Sequence, residues 1–167
     1  MYTRQYTNNP KKPKHYEDPI TISRENMITT AFAQKQKLEY VKYRSMSVLD
    51  GELRKDGKTV AVVEAKSRDK LFSYIKSLDG IILQVKKWRA GIRRAIQEHI
   101  EFIYLCVYLC GTSNYYQWKS DHQFKIAPVK GTQRNPDRDR IKEYEIADHV
   151  FIPPEYFRPI NYLIEFS

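Results

Sequence analysis

Ser47-Val-Leu-Asp50-Gly-Glu-Leu53, Arg54-Lys-Asp-Gly-Lys58 and Thr59-Val-Ala-Val-Val-Glu-Ala-Lys66 run on as one stretch, and its reading decides the fold. Asp56-Gly57 is a strong hairpin signal, because both residue types tolerate the positive φ that a two-residue turn demands. The segment after it is β-branched and largely apolar, as a central strand requires. Residues 46–66 therefore read as strand, tight turn and strand. Asp50 and Glu64 interrupt the apolar pattern, seven residues to either side of Gly57. Pairing across the turn sets the two carboxylates about opposite one another. Lys66 lies two residues beyond Glu64 and hence on the same face. Charges in such a strand are costly unless they are paired or bind a metal.

Upstream, Tyr40-Val-Lys-Tyr43 looks extended. A helix is predicted to begin near Ser23 as N-cap, with Glu25 in its first turn and an apolar stripe of Met27, Ile28, Ala31 and Phe32. Residues 1–19, with Pro10, Pro13, Pro19, Lys11, Lys12 and Lys14, read as a basic irregular arm. Downstream, Leu78, Ile81, Ile82, Val85, Trp88, Ile92, Ala95, Ile96 and His99 recur at helical steps, predicting a long amphipathic helix over 79–99. Its other side carries Lys86, Lys87, Arg89, Arg93 and Arg94. Residues 101–110 predict an apolar strand; Tyr115–Lys119 and Gln123–Ala127 predict further strands. A charged loop over 130–143 and two short apolar stretches, His149–Pro153 and Tyr162–Phe166, close the chain. The expected fold is α/β, a mixed central β-sheet flanked by helices, in a single domain over 20–167.

The 167 residues are enough for one core, and Lys+Arg exceed Asp+Glu by 29 to 20, a net charge of +9. Such a field favours a polyanionic partner. No apolar run approaches the ~20 residues of a bilayer span, and the N-terminus lacks a secretion signal's apolar core. No membrane partner is expected. Cys106 and Cys110 would lie about 13 Å apart on one strand face, too far for a disulfide. The chain is therefore expected to be cytoplasmic and reduced. It has no phosphate-cradling Gly-x-x-x-x-Gly-Lys loop, so no nucleotide cofactor is expected.

Two carboxylates with a backbone carbonyl and water are the hard oxygen donors that Mg²⁺ prefers. Phosphodiester cleavage needs such an ion to activate water and to stabilise charge building on the phosphate, and a neighbouring lysine can orient or deprotonate that water. The competing reading of the trio is a cross-strand salt-bridge network, worth ~0–1 kcal/mol on a surface.

Ser47-Val-Leu-Asp50 with Val62-Val-Glu64-Ala-Lys66-Ser-Arg68 resembles the motif of PD-(D/E)xK nucleases, among them small phage-encoded and RecB-like members. The likeness covers residues 23–110 in element order, with Leu49 where the motif has proline. It implies a restriction-endonuclease-like fold and a DNA nuclease using Mg²⁺ or Mn²⁺, in phage or mobile-element recombination, repair or genome processing. It also implies Asp50, Glu64 and the Ala65 carbonyl as metal ligands, and Lys66 as the catalytic lysine. A further carboxylate from the first helix falls to Glu25, with Glu39 in reserve, and a helix-dipole role is the other reading of Glu25. Gln84-Val-Lys-Lys-Trp88 is similar to the Gln-x-x-x-Tyr signature of RecB-like members, adding Gln84, with Lys87 as its rival. By analogy with resolvase-like relatives a homodimer is implied. Arg68, Lys70, Lys86, Lys87, Arg89, Arg93 and Arg94 are candidates for a DNA track, or else a solvated face. Tyr115, Tyr116 and Trp118 suit either base stacking or sheet packing. A non-catalytic DNA-binding module and a structural protein with an incidental ion network are the alternatives from other classes.

Overall fold

In a computed structural model, which describes residues 19–44, 46–76, 78–109, 111–130 and 146–166, the chain is mixed α/β. The first helix, α1 (Pro19–Lys35), is followed by β1 (Glu39–Lys42), β2 (Gly51–Lys55) and β3 (Lys58–Ser67). A short α2 (Phe72–Lys76), β4 (Ile81–Gln84) and α3 (Val85–Glu98) lead into β5 (Glu101–Val107) and β6 (Ser113–Gln117). Then come β7 (Ile126–Lys130), β8 (Ile146–Ile152), a 3₁₀ turn at Pro154–Tyr156 and β9 (Phe157–Pro159). The main sheet has the order β1-β2-β3-β5-β6-β9. Its β3–β5 pair is parallel and the rest antiparallel, giving the mixed central sheet expected. A second, antiparallel sheet runs β4-β8-β7.

The hairpin forms as read. Asp56 and Gly57 have φ of 52° and 77°, so the turn uses the left-handed region twice. Its register holds a feature the spacing alone does not show. Lys55 pairs with Lys58 and Arg54 with Thr59, but Leu53 pairs with Ala61, leaving Val60 as a bulge. The turn alone would bring Val62 opposite Gly51. The bulge shifts the pairing by one residue, so that Gly51 faces Val63 and Asp50 approaches Glu64.

Both faces of the main sheet are covered. Ile28, Phe32 and Ala33 of α1 pack on Leu53, Ala61, Val63, Ala65, Ile103 and Leu105. Trp88 and Ala95 of α3, with Ile81, Leu83, Val150 and Ile152 of the second sheet, pack on Val62, Phe102, Tyr104 and Tyr116. Even-numbered residues of β3 thus face α3, and odd-numbered ones face α1.

Several boundaries depart from expectation. The first helix starts at Pro19 rather than near Ser23, proline being well suited to a first turn. Glu25 therefore lies beyond that turn, buried on the sheet-facing stripe with Ile28, Thr29 and Phe32. A helix-dipole role, which fades within the first turn, does not account for it. Residues 46–49 turn rather than extend, and β2 begins only at Gly51. The predicted helix over 79–99 is in fact strand then helix: Ile81–Gln84 pair with His149–Ile152. The strand predicted over Gln123–Ala127 is displaced to Ile126–Lys130. Tyr115 and Tyr116 are buried, so their role is packing. The arm over residues 1–18, Cys110 and most of the charged loop lie outside the described residues. No helix among the described residues is long and apolar enough to cross a membrane.

Candidate active site

Because β2 starts at Gly51, it leaves residues 64–67 of β3 without an antiparallel neighbour, while their other edge is paired to β5. The open edge presents the N–H groups of Ala65 and Ser67, which would be costly left unbonded. Two carboxylates satisfy them. Asp50 Oδ2 accepts the Ala65 N–H at 2.7 Å, and Glu25 Oε1, arriving from α1, accepts the Ser67 N–H at 2.9 Å. Since N–H and C=O of one strand residue leave the same edge, the Ala65 carbonyl points to the same side.

Glu64 stands on the α3 face and is 1% exposed. The ammonium of Lys87, in the first turn of α3, reaches over the sheet to Glu64 Oε1. Glu64 Oε2 is buried and has no hydrogen-bond partner. Burial pushes the Glu64 carboxyl up to about 8; Lys87 opposes the rise, Asp50 adds to it and Lys66 opposes it in turn. Lys66 therefore acts electrostatically on Glu64 from the same strand face, as its spacing predicts.

A cleft of about 270 Å³ opens over this edge. Ile22, Glu25, Asn26 and Thr29 of α1 form one wall, Gln84, Lys86 and Lys87 another, and Tyr40, Lys42, Met46, Ser47, Val48, Asp50 and Ala65 the rest. Of the residues predicted from sequence, the cleft brings together Glu25, Asp50, Ala65, Gln84 and Lys87. Glu64 is buried behind Lys87, and Lys66, which acts on Glu64 through its charge, is not among the cleft-lining residues. Gln84 ends β4 and stands at the position before α3, without a capping bond from its side chain, rather than riding within the helix. Glu39 is not part of the group: it is exposed and pairs with Arg54, toward the hairpin end of β2.

The expected DNA track divides. Lys86, Arg89 and Arg93 are exposed along α3, and Lys70 is exposed beside the Tyr74 ring. Arg68 is a correction: its guanidinium points inward, donating to the Ile82 carbonyl and, at 2.5 Å, to the Tyr104 hydroxyl, and so ties β4 to the main sheet. Arg94 is likewise committed, to Glu98 and the Tyr43 hydroxyl, with Glu52 at 3.8 Å. Burial alone would raise the Glu52 carboxyl, but bonds from Thr59 and Arg54 outweigh it and hold it below the usual carboxylate value. This second group clamps α3 onto β2.

Sequence reasoning missed Tyr40 and Lys42. Alternation along β1 puts both on one face, but only the pairing of Lys42 with Gly51 brings that face to the cleft. The sequence offers Lys87 both as the rival of Gln84 and as a DNA-track cation, and its contact with Glu64 emerges only from the sheet-and-helix geometry.

Among the described residues, no group of three or more His, Cys, Asp or Glu side chains stands ready-assembled as a metal site. One oxygen of each acid is engaged by an edge N–H or by Lys87. The donor set nonetheless suits a hard cation. Asp50, the unbonded Glu64 Oε2 and the Ala65 carbonyl are oxygen donors, and Mg²⁺ commonly takes one or two carboxylates and completes its shell with water. Comparison with protein-family models, curated proteins and solved structures gives no match.

Proposed function

We propose that this chain is a Mg²⁺- or Mn²⁺-dependent nuclease of the PD-(D/E)xK kind that hydrolyses DNA phosphodiester bonds, with a restriction-endonuclease-like arrangement of its sheet and helices. The observation that carries this reading is the pair of acids, Asp50 and Glu25, at one open strand edge, next to a Glu64 that Lys87 holds by one oxygen and whose other, buried oxygen is left unbonded. A buried carboxylate oxygen without a hydrogen-bond partner is costly, and a bound cation would satisfy it.

Asp50, Glu64 and the Ala65 carbonyl would hold the ion, with Glu25 beside them. When bound, the ion lowers the pKa of a water and offsets charge on the phosphate. The remaining work falls to the chain. Lys66 Nζ orients the attacking water from the Glu64 face. Lys87 holds Glu64 in place through Oε1. Gln84, at the cleft wall, offers amide donors to the phosphate. Lys86, Arg89 and Arg93 gather neighbouring phosphates along α3.

A second reading is supported by one observation, the Lys87–Glu64 ion pair, which neutralises the site without an ion. On that reading the domain binds DNA without cutting it. Cleavage of plasmid and single-stranded DNA with Mg²⁺ separates the two: the nuclease reading expects activity in the wild type and its loss in Lys66→Ala. A wild type that binds DNA but cuts no better than Lys66→Ala favours the binding module.

A further inference from the structure

One polar group in the cleft has no part in the chemistry above. Tyr40 lines the cleft beside Glu25, Asp50 and Ala65. Its phenol lies in the combined field of the Asp50, Glu64 and Glu25 carboxylates. Each acid already has a partner: Asp50 Oδ2 the Ala65 N–H, Glu25 Oε1 the Ser67 N–H, and Glu64 Oε1 the Lys87 ammonium. The Tyr40 hydroxyl takes part in none of these bonds.

The ring is held in place by a specific packing relation. A Cβ on Gly51 would stand 2.6 Å from Tyr40 Cε1 and 2.4 Å from the Val41 carbonyl oxygen. Only glycine lets the ring lie so closely across β2, next to the residue that follows Asp50. The ring also packs with the core on the α1 side. A side chain fixed in this way at the cleft wall loses little freedom on binding.

A phosphodiester entering this cleft meets Glu25 and Asp50 on its walls, with Glu64 buried close by. Repulsion has to be offset by donors, and the cleft walls supply Lys42, Lys86, Lys87, Gln84 and Tyr40. Burial, and then the neighbouring carboxylates, raise the phenol's pKa above its ordinary value, so it keeps its proton across the working range. We propose that Tyr40 contacts the substrate directly, its phenolic O–H donating to a non-bridging oxygen of the scissile phosphate. No proton leaves the phenol; it serves as a fixed donor toward oxygen that gains charge in the transition state. This inference rests on the nuclease reading and adds a substrate-contacting residue to it.

Tyr40→Phe removes the hydroxyl and keeps the ring. Turnover on the same DNA is expected to fall on the order of 100-fold, the scale of losing one preorganised donor. Mn²⁺ affinity by calorimetry and the thermal midpoint should match wild type. DNA carrying single-isomer phosphorothioates adds a readout that a structural role would not move. One isomer should slow the wild type markedly and slow Tyr40→Phe much less, because the contact it disturbs is already gone. A Tyr40→Phe enzyme as fast as an active wild type overturns the proposal, as does equal sensitivity of the two enzymes to both isomers. Loss of Mn²⁺ affinity in Tyr40→Phe overturns it too, by assigning the phenol to the acids. A wild type that cuts no DNA is a different result, which removes the nuclease reading itself and this contact with it.

Discussion

The Asp50 carboxylate accepts the backbone N–H of Ala65 at 2.7 Å, so the acid that precedes β2 also completes the open edge of β3. One residue thus has a structural and a chemical task, and substitution can separate them. Asp50→Ala leaves a partly buried N–H without its acceptor, at a cost of about 1–3 kcal/mol. Asp50→Asn keeps a carbonyl acceptor but loses the charge. Thermal melts should show Asp50→Ala well below wild type and Asp50→Asn close to it, while both variants lose Mn²⁺ affinity. An Asp50→Ala protein as stable as wild type would contradict the edge-capping role.

The Glu64 carboxyl makes stability depend on pH. Its folded-state pKa of about 8 lies above the ordinary 4.5, mainly through burial. A raised acid pKa means that the native state holds the proton longer than the unfolded chain. Stability is therefore fully present below the ordinary value and is lost as pH rises toward 8. Glu64→Gln removes this loss. Melts across pH 5 to 9 should show the variant gaining on the wild type up to about pH 8 and no further; parallel curves would refute the assignment.

Lys87 restrains that same carboxyl. Lys87→Met removes the cation and pushes the Glu64 pKa higher still. As pH rises past 8 the variant must either keep Glu64 protonated or bury an uncompensated charge, so the loss grows toward the ~3–5 kcal/mol usual for a broken buried pair. Near pH 6, with Glu64 protonated in the fold, the loss should be much smaller. Urea unfolding at the two pH values checks this, and a pH-independent loss would count against it.

Basic residues separate by location. Replacing Lys86, Arg89 and Arg93 together by alanine should weaken DNA binding and lower the slope of log affinity against log salt by about 2 to 3. Arg68→Met should leave that slope intact and lower the melting temperature instead, because the guanidinium serves the Ile82 carbonyl and Tyr104 hydroxyl inside the protein. Fluorescence anisotropy at several salt concentrations distinguishes the two classes.

What could be read from the chain follows from how local its causes are. The hairpin was legible because Asp56-Gly57 sets its own geometry, and β3 because its β-branched run has few other uses. Asp50 and Glu64 stand out as charges interrupting that hairpin's apolar pattern, whereas Glu25 enters only through the family resemblance. The bulge at Val60 was not legible, since nothing in its side chain announces it, yet it brings Asp50 toward Glu64. Ile81-Ile82-Leu83-Gln84 continues the spacing of α3 and so read as helix; its strand conformation depends on pairing with His149–Ile152, some 70 residues away. The inward turn of Arg68 likewise depends on Tyr104 and Ile82, partners that only the assembled sheets provide.

The central claim, that acids of adjacent strands meet closely enough to grip a divalent ion, is tested most directly by titrating the metal-free protein with Mn²⁺ in a calorimeter. At pH 8.5, where Glu64 is largely ionised, the wild type should bind Mn²⁺ saturably, and Asp50→Ala and Glu64→Gln should each abolish that binding. Absence of saturable binding by a folded wild type, or binding unchanged in both variants, would contradict it.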